Sequence, residues 1–253
     1  AKIGITSELV LDATLNPDFS QVESDAPQVD VNQRFAINYP ERRPFFLEGN
    51  ENFNFAGSSG FAPVRQVVNT RTIVSPLAAT KLTGKIGKRN ILSTIYAVDR
   101  ANENLADFAM DETADVAVIR YMRSFSQDNY LGLVGTNRSR NGGFNTVYGF
   151  DGQFRYKDAN QISGHFLNSL TKNERGGSVV NKGTATLKVS RSIRNFNGSF
   201  TILDVADGFR SDVGFVTRTA ISRATLSLSP KLYPKQGLIK RIDPTIYTSL
   251  TKD

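Results

Sequence analysis

Residues 146–171, TVYGFDGQFRYKDANQISGHFLNSLT, alternate aromatic and polar side chains on both sides of a four-residue turn, a pattern that few folds accept. In extended backbone, successive side chains point to opposite faces. Tyr148, Phe150, Phe154 and Tyr156 therefore share one face, and Gly149, Asp151, Gln153 and Arg155 share the other. Lys157, Asp158, Ala159 and Asn160 suit a tight turn. Beyond it Ile162, Phe166 and Leu170 oppose Gln161, Ser163, His165 and Ser169. The stretch predicts an antiparallel hairpin with one oily and one wet face.

The same alternation divides the chain after Pro76 into about ten strands. They fall at 79–86, 91–98, 115–125, 130–136, 146–156, 161–171, 183–192, 196–205, 218–232 and 238–251. Most are long enough to cross a bilayer as tilted strands, which takes ~9 to 11 residues. Short connections (GKRN at 87–90, SQDN at 126–129, KDAN at 157–160, SIRN at 192–195, YPKQG at 233–237) interleave with longer polar ones: DRANENLADFAMDE, NRSRNGGFN, KNERGGSVVNK and ADGFRSDVGF. Alternating short and long connections are the mark of a transmembrane barrel, with short periplasmic turns and long external loops. Phe125, Tyr130, Tyr156, Phe196 and Tyr233 flank the short turns, where an interfacial aromatic girdle belongs. The expected fold is all-β, an antiparallel up-and-down transmembrane β-barrel that is a segment of a larger one. A lipid-exposed sheet satisfies its backbone only by closure.

In such a barrel the polar faces line a lumen. Lys81, Lys85, Asp151, Gln153, Arg155, His165, Lys188 and Arg223 are the candidate lining residues. One strand, DVAVIRYMRSF, has no evident orientation: Arg120 shares a face with Val116, Val118 and Met122, while Arg123 shares one with Ala117, Ile119 and Tyr121.

The first 16 residues, with KIGIT and LVLDATLN around Ser7-Glu8, predict a further hairpin. Strand parity then makes residues 17–78 leave and return on one side, an excursion far longer than ordinary loops. It is rich in Phe and Pro, including Phe45, Phe46, Phe53 and Phe55, side chains that water does not favour. A plug or lid across the barrel mouth is the expectation, with Glu41, Arg42, Arg43 and Glu48 meeting lumen charges. Residues 79–253 would supply the barrel strands.

Composition narrows the chemistry. The absence of cysteine excludes disulfides and thiolate sites. A formal charge of +7 is scattered along the sequence, without the basic stripe and interleaved aromatics of a nucleic-acid binder. No apolar run approaches the ~18 residues of a membrane helix. His165 is the one histidine, and its alternation with Ser163 and Ser169 makes it a polar lining residue. Asp18, Glu23, Asp25 and Asp30 lack the spacing of a calcium loop. GLVGTNRSRNGG is not a phosphate loop, since no Lys-Ser follows. No cofactor, metal site or catalytic residue is expected, and the protein is not expected to be an enzyme.

The runs LDATLNPDFSQVESD, YPERRPFFLEG, NTRTIVSPLAATKLTGKIGK and DGFRSDVGFVTRT resemble an outer-membrane β-barrel family of Bacteroidota and their relatives, domain of unknown function 5916. The resemblance implies a bacterial outer-membrane location, with a carbohydrate-binding-like module preceding the barrel and more strands following. It brings no activity and no catalytic residues. The leading expectation is a passive or gated porin-like channel, or a docking barrel, whose partners are outer-membrane lipid and a solute, glycan-derived by association. The alternatives are a sealed barrel anchoring a surface module or an outer-membrane protein partner, and a soluble β-rich glycan-binding protein or hydrolase.

Overall fold

The computed structural model describes residues 1–17, 40–58, 62–100, 113–157, 159–174, 176–235 and 240–253. Its strands are β1 (Lys2–Gly4), β2 (Leu9–Leu15), β3 (Val64–Gln66), β4 (Pro76–Ile86), β5 (Asn90–Arg100), β6 (Thr113–Ser124), β7 (Tyr130–Arg140), β8 (Gly143–Tyr156), β9 (Asn160–Lys172), β10 (Val180–Ile193), β11 (Phe196–Val205), β12 (Phe215–Val216), β13 (Ile221–Pro230) and β14 (Ile246–Lys252). Twelve form a single antiparallel sheet in the order β1-β2-β4-β5-β6-β7-β8-β9-β10-β11-β13-β14. The other two, β3 and β12, pair with each other. Among the described residues helix is confined to one turn, α1 (Pro44–Leu47), and two 3-10 turns, Asn50–Phe53 and Thr70–Thr72. No helix is long and apolar enough to cross a membrane among the described residues. The chain is thus all-β and antiparallel. Among the described residues β1 and β14 are the two edges, so the sheet is an open meander, not the closed barrel expected.

Two connections differ from the sequence reading. NRSRNGGFN is not a long loop: β7 runs through Arg140, β8 begins at Gly143, and only Asn141 and Gly142 join them. Both have positive φ, 49° and 77°, as the two-residue turn that fits strand twist requires. Conversely, the turn expected at 233–237 spans everything between Pro230 and Ile246, with Leu232 bridged to Ile242. Short and long connections therefore do not alternate strictly.

The sheet's two faces have opposite chemistry. One face carries residues 40–58 and 62–75. There Phe45, Phe46, Phe53, Phe55, Val67, Val68 and Ile73 pack on Ala97, Val116, Val118, Val134, Val147, Leu167 and Leu203. The connection between β11 and β13 joins this core through Phe209 and Val213, and β12 pairs Phe215 with Gln66. The Thr217 amide donates to Pro63 at 2.8 Å, and the Asn69 amide donates to Val213 at 2.6 Å. The inserted segment is thus strapped down from both sides. The second face is bare. It exposes Ile119, Leu133, Phe150, Phe166, Leu187 and Ile202, each 46–58% accessible. A contiguous apolar surface of this kind is unusual on a water-soluble monomer.

The strand that the alternation left without an orientation is settled by burial. Ala114, Val116, Val118 and Arg120 face residues 40–75, whereas Asp115, Ala117, Ile119 and Arg123 are exposed. Replacing Gly142 with valine puts a β-branched residue in the left-handed region and should cost about 1–2 kcal/mol, read as a lower urea midpoint by circular dichroism in detergent.

Candidate functional site: the segment held across the strands

Backbone that crosses a sheet in single turns and short connecting stretches cannot pair with it strand-wise, so its free amides and carbonyls need side-chain partners or an unsatisfied group is buried. The covered face supplies those partners. Lys81 donates Nζ to the Phe45 carbonyl and, at 2.8 Å, to the Glu48 carbonyl. Asn52 donates its amide to Thr83 Oγ1 at 3.1 Å and Ser93 Oγ at 3.0 Å. Arg120 donates Nη2 to the Asn54 carbonyl at 3.1 Å, and Asp151 Oδ2 accepts the Ala56 amide at 2.7 Å. His165 Nδ1 lies 2.8 Å from the Ala56 carbonyl; since a carbonyl only accepts, Nδ1 carries the proton. The His165 ring also meets Phe55 edge-on at 4.8 Å, and its Nε2 is buried without a hydrogen-bond partner. Further along, Asp99 accepts the Val74 and Ser75 amides at 3.1 and 2.7 Å, and Arg138 donates to the Thr72 carbonyl at 2.7 Å.

Arg120 and Asp151 are the centre of this arrangement. Their side chains are fully buried and form a bidentate pair, with Tyr130 Oη donating to Asp151 at 3.1 Å. They sit on β6 and β8, and β7 runs between them. The pair passes over Gly132, where a Cβ would stand 2.5 Å from Asp151 Oδ1 and 2.6 Å from Arg120 Nη1. A glycine is therefore required for two charges to meet across an intervening strand.

The inserted segment has its own clasp. Glu41 and Arg43 pair at 2.7 Å, with side chains 4% and 1% accessible. Arg43 also donates to the Thr70 and Ile73 carbonyls and lies 4.3 Å over the Phe46 ring, while Thr70 Oγ1 donates to Glu41 at 2.7 Å. Residues 41–43 are thereby tied to 70–73. Burial alone would raise the Glu41 carboxyl. The hydrogen bonds from the Arg43 side chain, Thr70 and the Arg43 backbone, together with the guanidinium charge, outweigh it and lower the value from 4.5 to about 2.

Of the residues expected to line a lumen, Lys81, Asp151 and His165 lie under residues 40–75 and bind their backbone. Gln153 and Arg155 are on the same face but beyond the segment: Gln153 accepts from Gln161 at 2.9 Å, and Arg155 lies 3.5 Å from Asp128. Lys188 is half-buried, Arg223 contacts Thr251 at 3.2 Å, and Lys85 is exposed at the sheet's end. Of the plug residues, Glu48 meets a charge of the sheet's covered face as expected: its carboxylate takes Lys2 of β1 at 2.6 Å, and Lys2 is in register with Asp12 and Lys81. Glu41 and Arg43 instead satisfy each other, and Arg42 is exposed. The rest of the contact runs through the segment's backbone. Asn52 and Arg138 were not singled out, while Arg120 was noted only for its unresolved face and Tyr130 only as a girdle aromatic; the signal for Arg120 was a glycine opposite Met122, two residues along the same face, with a carboxylate one strand further. Asp18, Glu23, Asp25 and Asp30 lie outside the described residues. Among the described residues no group of three or more His, Cys, Asp or Glu could hold a metal ion.

Where the inserted segment enters, a cleft of about 780 Å³ is lined by Arg71, Arg138, Arg140, Lys172 and Arg210 with Glu174 and Asp212. Asn145 holds two of the lining residues, taking the Asp212 amide at 2.8 Å and donating to the Arg210 carbonyl at 3.0 Å.

Residues 1–58 match the family model described as Domain of unknown function (DUF5916). The match takes in β1, β2, the Glu41–Arg43 clasp and the backbone from Phe45 to Ala56 that the sheet binds. No curated protein and no solved structure matches the chain.

Arg120→Met leaves Asp151 buried and uncompensated and should destabilise by about 3–5 kcal/mol; Gly132→Val should act in the same direction by forcing the pair apart. Both are read as a lower denaturation midpoint and faster tryptic cleavage after Arg42. The Glu41 clasp gives a pH dependence of defined sign. Its folded value lies below the unfolded one, so its stabilisation is complete above about pH 4.5 and fades as pH falls toward about 2. Pepsin cleavage at Phe45-Phe46, normalised to an unfolded substrate, should accelerate over that window, and Glu41→Gln should remove the dependence.

Proposed function

We propose that this chain is part of the wall of a transmembrane β-barrel of the bacterial outer membrane, carrying its own plug in residues 40–75. One observation supports the reading above others: the sheet is inverted relative to a soluble fold. Arg120, Asp151, Lys81 and His165 are buried on one face, while Phe150, Phe166, Leu133 and Ile202 are exposed on the other. In water this arrangement wastes the hydrophobic effect; in a bilayer it is the stable one. The function is non-covalent. The plug sets whether solute passes, and the cation-rich cleft beside its entry offers a docking place for an anionic solute, glycan-derived acids among them.

A sealed anchor is the second reading, favoured by the fixed pairing of plug backbone with Lys81, Arg120 and Asp151. Conductance separates the two. The protein in its natural length should show a heat-dependent gel shift and partition into detergent. In planar bilayers it should be closed, and Arg120→Met with Lys81→Met should open it. If the doubly substituted barrel inserts yet stays closed, the gated reading fails and the anchor stands. Solubility in buffer without a gel shift would remove the membrane reading altogether.

A further inference from the structure

The formal charge of +7 is not spread over the fold. Strand order puts the β1–β2, β4–β5, β6–β7, β8–β9, β10–β11 and β13–β14 connections at one end of the sheet. Those connections expose Lys88, Arg89, Lys157, Arg194, Lys235 and Arg241. The strand ends beside them expose Lys85, Arg123, Arg155 and Arg191. Among the described residues only Glu8, Asp128 and Asp243 oppose these cations there, and Asp243 already pairs with Arg241. At the opposite end cations gather in the cleft as well, but carboxylates stand beside them: Asp99 for Arg138, Glu174 for Arg140 and Asp212 for Arg210.

Apolar surface runs directly up to this cationic end. A groove of about 580 Å³ on the bare face is lined by Phe154, Ile162, Val189, Phe200 and Leu228 and ends at Tyr156 and Arg191. Arg191 pairs in register with Asn160, so it stands beside the Lys157 turn. Lys157 Nζ lies 5.2 Å from the Tyr156 ring centre, and Arg194 lies 5.8 Å over Tyr233. Cations stacked on exposed aromatic rings at the rim of an apolar surface suit the boundary between hydrocarbon and headgroups.

From the groove and the charge together we infer a binding site for an anionic glycerophospholipid of the leaflet that the short turns reach. One acyl chain lies along the groove, and the headgroup phosphate is met by Arg191 with Lys157 and Arg194 at hand, since guanidinium and ammonium groups recognise phosphate by charge and hydrogen bonding together. The inference rests on the membrane-barrel reading.

The test exposes the natural-length protein in detergent to equimolar phosphatidylglycerol and phosphatidylcholine and counts retained lipid by native mass spectrometry. Phosphatidylglycerol should be retained in clear excess. Lys157→Glu/Arg191→Glu/Arg194→Glu should lower its retention about tenfold or more, and Val189→Trp, which fills the groove without changing charge, should lower it too. Arg100→Glu/Lys252→Glu, exposed at the opposite end, should leave it unchanged. Equal retention of the two lipids, or a preference that survives the triple reversal in protein that still shows the gel shift, overturns the lipid site while leaving the barrel reading standing. Failure of the unaltered protein to insert into bilayers overturns the barrel reading itself.

Discussion

A charge removed from water must be compensated on every side, and in this fold the compensation for Arg120 and Asp151 comes from an otherwise unsatisfied backbone. The pair is buried because residues 52–56 lie over it, and those residues lie there because the pair supplies a donor for Asn54 and an acceptor for Ala56. Neither arrangement is stable alone. Without the segment, the ion pair would sit in a polar trough that water could enter; without the pair, the segment would bury a free carbonyl and a free amide. Lys81, Asn52 with Thr83 and Ser93, and Asp99 repeat the same exchange along its length. The apolar contacts of Phe45, Phe53 and Phe55 add burial, but they carry no direction; the polar contacts set where each residue of the segment stops.

This distribution of labour explains why wall residues look idle in a sequence. A polar face that lines open water and one that caps a crossing segment have the same alternation. Asp151 and His165 were legible as inward-facing because β8 and β9 keep a strict two-residue period around Tyr148, Phe150 and Phe166. What they touch was not, since Ala56 lies 95 residues from Asp151 and 109 from His165. Strand β6 was illegible for a different reason: Arg120 and Arg123 are an odd number apart, so whichever face is chosen, one arginine lies among apolar residues. Only the cross-strand register, with Gly132 beside Asp151, tells which arginine is inside.

Other signals were present but outweighed. Asn141-Gly142 is a strong marker of a two-residue hairpin, yet it stands in a polar run, NRSRNGGFN, that composition assigns to a loop. Glu41 and Arg43 stand two apart, which in extended backbone puts them on one side, close enough to pair with each other before any wall charge can compete. The family match over residues 1–58 takes in the bound backbone up to Ala56 but neither the later contacts at Thr72, Val74 and Ser75 nor most of the strands that hold the segment.

The strap between β11 and β13 also bears on the order in which the molecule can be built. Thr217 meets Pro63 across 154 positions of chain, and β12 reaches β3 only after β4 to β11 have been laid side by side. Contacts of such long sequence separation require loop closure before they return any stabilisation. Residues 40–75 are made before nearly all the strands that hold them, so the segment must wait, accessible to solvent or to a chaperone, until the meander has grown past it. Assembly of the sheet and docking of its cover are therefore successive events, and the second is complete only once the 206–220 connection arrives.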